Sequence, residues 1–222
     1  TRDLKGEMDS SRTRLSWDGQ FPLRAAWADS LRAHVGFQQA EKREVAIEQR
    51  TPTGANPATF RVRDVTYWED IWQASLQAER RRDLGHGWAQ QLVYGVELTR
   101  TDMENLTTGV APPAGDTFPL QRFPTTRETT QALFVQSEFI SERWSIIPAL
   151  RYDRFDIDAQ ESPLFRRALA DLSGDALSPK LGLIFRPEAN WQIFSNLAAG
   201  FRAPGPLQLN NFFENLVGTA PY

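Results

Sequence analysis

Phe201-Arg202-Ala203-Pro204 sets an aromatic ring, a guanidinium and a ladder-breaking proline in four consecutive residues. A guanidinium presents a planar fork of donors that matches carboxylates two at a time, so Arg202 is a candidate partner for an anion. The plain alternative is a strand end, with Pro204 stopping the ladder and Arg202 turned to water. Asn210, Asn211, Phe213 and Asn215 follow in the same stretch and could add amide hydrogen bonds and a further ring. His34 and His86 are the two histidines that could ligate a metal. His34 falls on the polar side of an alternating segment, where a hydrogen bond to the surrounding wall is the better reading, and His86 lies in a glycine-flanked turn. Asp153, Asp156, Asp158 and Glu161 lack the spacing and glycine of a calcium loop and read as solvated acids. No Gly-x-Ser-x-Gly elbow occurs and cysteine is absent, so neither a hydrolase nor a thiol chemistry is supported, and the chain is not read as an enzyme.

The elements that carry these residues alternate with a period of two. In residues 31–49, Leu31, Ala33, Val35, Phe37, Val45 and Ile47 share one face, and Arg32, His34, Gln38 and Glu44 the other. The same pattern marks 60–79, 88–98, 131–140, 144–153, 177–185 and a last strand from 191 that ends in Phe-Arg-Ala-Pro. Roughly seven strands result, joined as hairpins. On the last strand Trp191, Ile193, Leu197, Ala199 and Phe201 form the apolar side. Pro148 and Pro179 lie inside strands, which demands bulges or strand ends there.

Links of two lengths separate the strands. Those at 80–87, 141–143 and 187–190 are short; those at 101–127 and 153–176 are long and rich in Pro, Gly, Asp and Thr. Following the strand directions, the short links gather at one end and the long ones at the other, the pattern of an outer-membrane barrel. Trp68, Trp72, Trp88, Trp144 and Trp191 lie near strand ends on the apolar side, where a membrane interface favours them; a soluble core would hold them equally well. The triplet Arg80-Arg81-Arg82 could meet lipid phosphates at the short-link rim or simply be a solvated turn.

Composition sets the outer limits. Hydrophobic residues make up 41% and charged residues 24% of the 222, which excludes a disordered chain. A net charge of -3 and a pI near 5.5 argue against nucleic acid as a partner. No apolar run reaches the length of a membrane helix, which leaves a barrel open, and the polar opening run 1–14 is not a secretory leader.

The run from Gly200 to Asn215 resembles the motif region of TonB-dependent outer-membrane receptors for haem and haem proteins. Further matches follow in the family's order: Tyr94-Gly95-Val96-Glu97, Arg122-Phe123-Pro124-Thr125-Thr126, Pro148-Ala149-Leu150-Arg151-Tyr152-Asp153 and Ser178-Pro179-Lys180-Leu181-Gly182. The resemblance runs from about Arg12 to Asn215. It implies an all-β fold, an antiparallel transmembrane β-barrel of about 22 strands with a plug in its lumen. Residues 1–222 are then expected to be an internal fragment of that barrel, lacking plug and C-terminal strands. The implied function is active transport of haem or haem-protein iron across the outer membrane of a Gram-negative bacterium. Its implied partners are outer-membrane lipid, the TonB complex acting through the plug, and haem or a haemoglobin-like ligand. Haem is cargo in this reading, with no intrinsic cofactor. The motif region Phe201, Arg202, Ala203, Pro204, Asn210, Asn211, Phe213 and Asn215 is expected to shape the ligand-facing loop. In the family an axial histidine and an Asn-Pro-Asn-Leu motif follow it, and neither occurs up to Tyr222. The alternatives are a receptor for a ferric siderophore or another nutrient and, from a different class, a soluble β-sandwich binding module or a surface adhesin.

Overall fold

A computed structural model describes residues 2–52, 59–112, 116–188 and 190–210. Eight strands follow one another: β1 (Arg2–Pro22), β2 (Ser30–Arg50), β3 (Thr59–Gly85), β4 (Trp88–Val110), β5 (Thr126–Ile140), β6 (Trp144–Ala159), β7 (Leu172–Phe185) and β8 (Ile193–Ala198).

 Strand β6 ends at Ala159, and a single helical turn, α1 (Pro206–Leu209), closes the described chain. Each strand pairs antiparallel with the next, in one sheet ordered β1 to β8. One strand more appears than the alternation predicts: β1 covers the polar opening run, which carries charged and polar residues on both faces over much of its length. A sandwich needs two facing sheets, and the described residues form one.

The register makes the lateral pattern legible. Leu15 pairs with Phe37, Phe37 with Trp72, and Trp17 with Val35. Leu76 pairs with Val96, Val96 with Leu133, Leu133 with Tyr152 and Tyr152 with Leu177. Directly opposed residues share a face, so these side chains form one apolar band across the sheet. It is open to its surroundings: Leu15 is 74% exposed, Leu133 57% and Leu177 59%. Such a continuous exposed apolar surface calls for an apolar partner, and on a wall of tilted antiparallel strands it has the pattern of the lipid-facing side of a barrel.

On β4 the band runs from Leu92 to Leu98, and Arg100 ends it. These seven residues fall short of the about 9–11 that a tilted strand needs to cross a bilayer, and Trp88, on the same face at the short-link rim, extends the span. The 27 residues of β3 extend about 90 Å at ~3.3 Å each, so even a steep tilt carries the strand far beyond the membrane. The excess lies at the long-link end, and there the same outward face turns charged. Arg43 grips Asp64 through two hydrogen bonds, its Nε donating at 2.9 Å, and Asp102 accepts from both Arg100 and Arg127. The links predicted at 101–127 and 153–176 are shorter than expected, because β4 continues to Val110, β6 to Ala159 and β7 begins at Leu172.

Both prolines sit where the ladder is broken. Pro148 lies in the gap between the pairs Gln136–Ala149 and Phe139–Ile146, and Pro179 lies just past Lys180, where the pairing of β7 with β8 stops. At the rims, Trp72 packs on Phe37 with centroids 4.4 Å apart, and Trp144 on Phe185 at the same distance.

The Arg43–Asp64 pair predicts a pH effect. Hydrogen bonding to Arg43 holds the Asp64 carboxyl below its usual range. A depressed folded-state pKa gives stability that is present above the unfolded value and lost as pH falls through the folded one. The melting-temperature difference between the parent receptor and an Asp64→Asn variant is therefore expected to be small at pH 6 and to shrink further as the pH is lowered toward 3. A difference that grows with acid would contradict the pairing.

Candidate functional site

At the long-link end, the inner face of the sheet is covered by chain folded back onto it. Asn105 on β4 is fully buried and uses both ends of its amide: Oδ1 accepts from the Arg122 backbone N–H and Nδ2 donates to the Phe123 carbonyl, each at 2.7 Å. Thr107 exchanges backbone hydrogen bonds with Leu120 at 2.8 and 3.0 Å. The Gln121 N–H donates to the Leu164 carbonyl, and the Gln160 N–H to the Thr125 carbonyl. Phe123, Val65, Ile157 and Phe165 are buried, so an apolar cluster forms inside the sheet where the outer face meets water. Gly109 permits the fold-back: its φ is +140°, and a Cβ there would lie 1.9 Å from the Val62 carbonyl oxygen. Arg122-Phe123-Pro124-Thr125-Thr126, expected to close a long loop, is the part of that loop pinned to the wall.

Two other motifs meet lower down on the inner face. Arg151 donates from Nη1 to Glu97 at 2.6 Å and from Nε to Asp153 at 2.9 Å. Gly95 lies under the ring of Phe134, and a Cβ there would approach the ring within 2.8 Å and the Leu76 carbonyl oxygen within 2.4 Å. The Tyr94–Glu97 and Pro148–Asp153 stretches thus form one polar network facing the lumen. Sequence reasoning noted both stretches without joining them, since nothing in either reports the register that brings them opposite.

The Phe-Arg-Ala-Pro run behaves differently from its predicted alternation. β8 covers only Ile193–Ala198, and Trp191 stands before it. Phe201 does not continue the lipid-facing row: it stacks on Phe155, centroids 5.1 Å apart, and Phe155 belongs to the inner face, its ring over Gly174. The backbone leaves the ladder after Ala199, whose N–H donates to the Pro179 carbonyl, and is free to turn. Arg202 is exposed and makes no side-chain hydrogen bond or ion pair among the described residues. Ala203 and Pro204 lead into α1, where Gln208 Oε1 accepts from the Gly205 N–H. Asn210 is buried and clamps Ala170 from both sides, donating to its carbonyl at 2.7 Å and accepting from its N–H at 2.8 Å. Asn211, Phe213 and Asn215 lie outside the described residues.

The remaining candidates are placed by the wall. His34 Nδ1 is 2.7 Å from Asp18 Oδ1, across the β1–β2 ladder on the inner face. His86 occupies the β3–β4 turn with φ 53°, at the opposite end of the sheet from Arg202. Asp153, Asp156 and Asp158 are strand residues of β6, not a loop; Asp153 faces Arg151 and Asp156 faces Arg154. Among the described residues no cluster of His, Asp and Glu is arranged to hold a metal ion.

The family model "TonB dependent receptor-like, beta-barrel" matches residues 1–222. No curated protein matches the sequence. Among solved structures, the unliganded ferric citrate transporter FecA superposes with a TM-score of 0.57 at 13% identity, over 86% of this chain and 27% of that one. BauA, the ferric preacinetobactin receptor from Acinetobacter baumannii, gives 0.57 at 11% identity, over 86% and 30%. At these identities the likeness is one of fold, and the chain spans less than a third of the length of either protein. The lipid-facing band, the sorted links and the full-length match agree: the chain belongs to the β-barrel family of TonB-dependent receptors, proteins of the Gram-negative outer membrane.

Proposed function

We propose that residues 1–222 form an internal stretch of the barrel wall of a receptor that imports iron in an organic anionic complex, energised by TonB through a plug domain. An open strand edge is costly in lipid, and β1 and β8 each have one neighbour among the described strands, which supports further strands on both sides. The observation that carries the ligand class is Arg202: a guanidinium at the outer end with no partner among the described residues, beside an aromatic pair that faces inward. Carboxylates of haem or of a ferric chelate would both satisfy it.

Haem is the first reading, on the strength of the Gly200–Asn215 resemblance. Neither described histidine suits an axial role, since His34 is engaged by Asp18 and His86 lies at the far end, so the iron ligand would come from elsewhere in the receptor. A ferric siderophore is the second reading, favoured by the names of the two structural neighbours. Titration of the intact receptor separates them. Haem binding shifts the Soret band at stoichiometric haem; a siderophore receptor leaves that band as in buffer and instead shows saturable tryptophan quenching with a ferric chelate. Failure of both titrations removes iron transport as the function.

A further inference from the structure

We infer that the short-link rim carries a binding site for the phosphodiester group of a glycerophospholipid in the periplasmic leaflet, centred on Arg80 and Arg82. Arg80 pairs with Leu92 and Arg82 with Gln90, which puts both arginines on the lipid-facing side of the β3–β4 hairpin. Ala78 with Tyr94 forms the last row there without a charge; Arg80 lies opposite Leu92 in the next row, and Arg82 opposite Gln90 in the one after, with Trp88 at the tip. Each further pair of residues moves a side chain roughly 5 Å deeper once the strand tilt is allowed for, and the headgroup layer occupies about 5–7 Å outside the hydrocarbon. The two guanidinium groups therefore begin where lipid phosphates lie. The carboxylates nearby are each engaged: Asp83 accepts from the Gly85 N–H, Glu79 from Arg32, and Asp29, on the β1–β2 link, from the Arg81 backbone N–H.

Arg80 is already oriented. The β1–β2 link folds across the lipid-facing side, with Ala28 fully buried and the Tyr94 hydroxyl donating to the Trp27 carbonyl at 3.0 Å. One Arg80 NH group donates to the Ala25 carbonyl of this link at 3.1 Å, while its Nε is buried and has no partner among the described residues. Arg82 is exposed and has no partner among the described residues; with Trp88, Gln90 and the Gly85-bound Asp83 it lines a concavity at the hairpin tip. Trp27, on the link that Arg80 grips, is 54% exposed. A fixed arginine, a free arginine and amphipathic rings at headgroup depth, beneath an apolar band that accepts acyl chains, fit a phospholipid as one ligand.

The test is native mass spectrometry of the intact, delipidated receptor titrated with phosphatidylglycerol and with diacylglycerol of the same chains. Phosphatidylglycerol is expected to be retained and diacylglycerol not. Arg82→Gln, at an exposed side chain that makes no hydrogen bond or ion pair among the described residues, is expected to weaken phosphatidylglycerol binding about fivefold. Arg154→Gln, on the lipid-facing side at the opposite end, is expected to leave it unchanged. Equal retention of the two lipids, or an unaltered Arg82→Gln variant, overturns the proposal. Displacement of the lipid by millimolar inorganic phosphate would identify a free-anion site and overturn it equally.

Discussion

Replacing Asn105 with alanine will release residues 120–126 from the inner face of the sheet. The asparagine amide is the one side chain on β4 that satisfies both a buried N–H, at Arg122, and a buried carbonyl, at Phe123. Alanine keeps the strand but leaves both groups unpaired away from water. Each unmet group costs about 1–3 kcal/mol, so the closed loop loses about 2–6 kcal/mol relative to an open one. The backbone bridge of Thr107 with Leu120 and the Gln121 bond to Leu164 persist, which confines the effect to local opening. Hydrogen exchange in the intact receptor is the measurement. Amides of residues 120–126 are expected to exchange at least about 30-fold faster, the factor that corresponds to the lower bound. Asn196→Ala, at an exposed position on β8, is the matched control. Asn105→Asp is expected to be no rescue, because a carboxylate can accept from Arg122 but cannot donate to Phe123 and adds a buried charge. Unchanged exchange in Asn105→Ala would mean that the apolar contacts of Phe123 hold the loop without the clamp.

Asn105 also shows where sequence reading stops. Alternation is a signal of two unlike environments, and it fades where both faces of a strand meet water. Leu92 to Leu98 is legible because hydrocarbon lies on one side; residues 101–110 belong to the same strand but bear Asp102 and Glu104 outward, so they read as a loop. β1 fails for the same reason, with Lys5, Glu7 and Asp9 on the side that carries Leu15 and Trp17 further along. The link asymmetry survived these errors because it depends on order, not on strand ends. The site was legible in part. Phe201 and Arg202 could be singled out by residue type, whereas the turn that takes Phe201 from the lipid-facing row to Phe155 depends on β8 ending at Ala198, which no local pattern reports. Asn210 was singled out as a motif residue, and its partner Ala170, forty positions away on another link, could come only from the fold.

Reversing the charge of Arg202 will weaken the binding of an anionic iron complex more than any other single change at the outer end. Phe201 is held on Phe155, so the Arg202 backbone is placed while its guanidinium stays uncommitted among the described residues. A hydrogen bond to a charged partner is worth about 1.5–3 kcal/mol, so Arg202→Ala is expected to raise the dissociation constant about 10- to 150-fold. Arg202→Glu adds repulsion and is expected to exceed that loss. Arg202→Lys keeps the charge without the planar fork and is expected to recover only part of the affinity. The residual binding of the alanine variant should depend less on ionic strength than that of the parent, because the lost contact is the exposed and screened one. These affinities are read by the same Soret or fluorescence titrations that assign the ligand. Since Arg202 supports no described contact, the variants should melt with the parent. An alanine variant that binds within twofold of the parent would return Arg202 to the role of a solvated strand end, with Phe201 and Pro204 shaping the loop and no charge in the recognition.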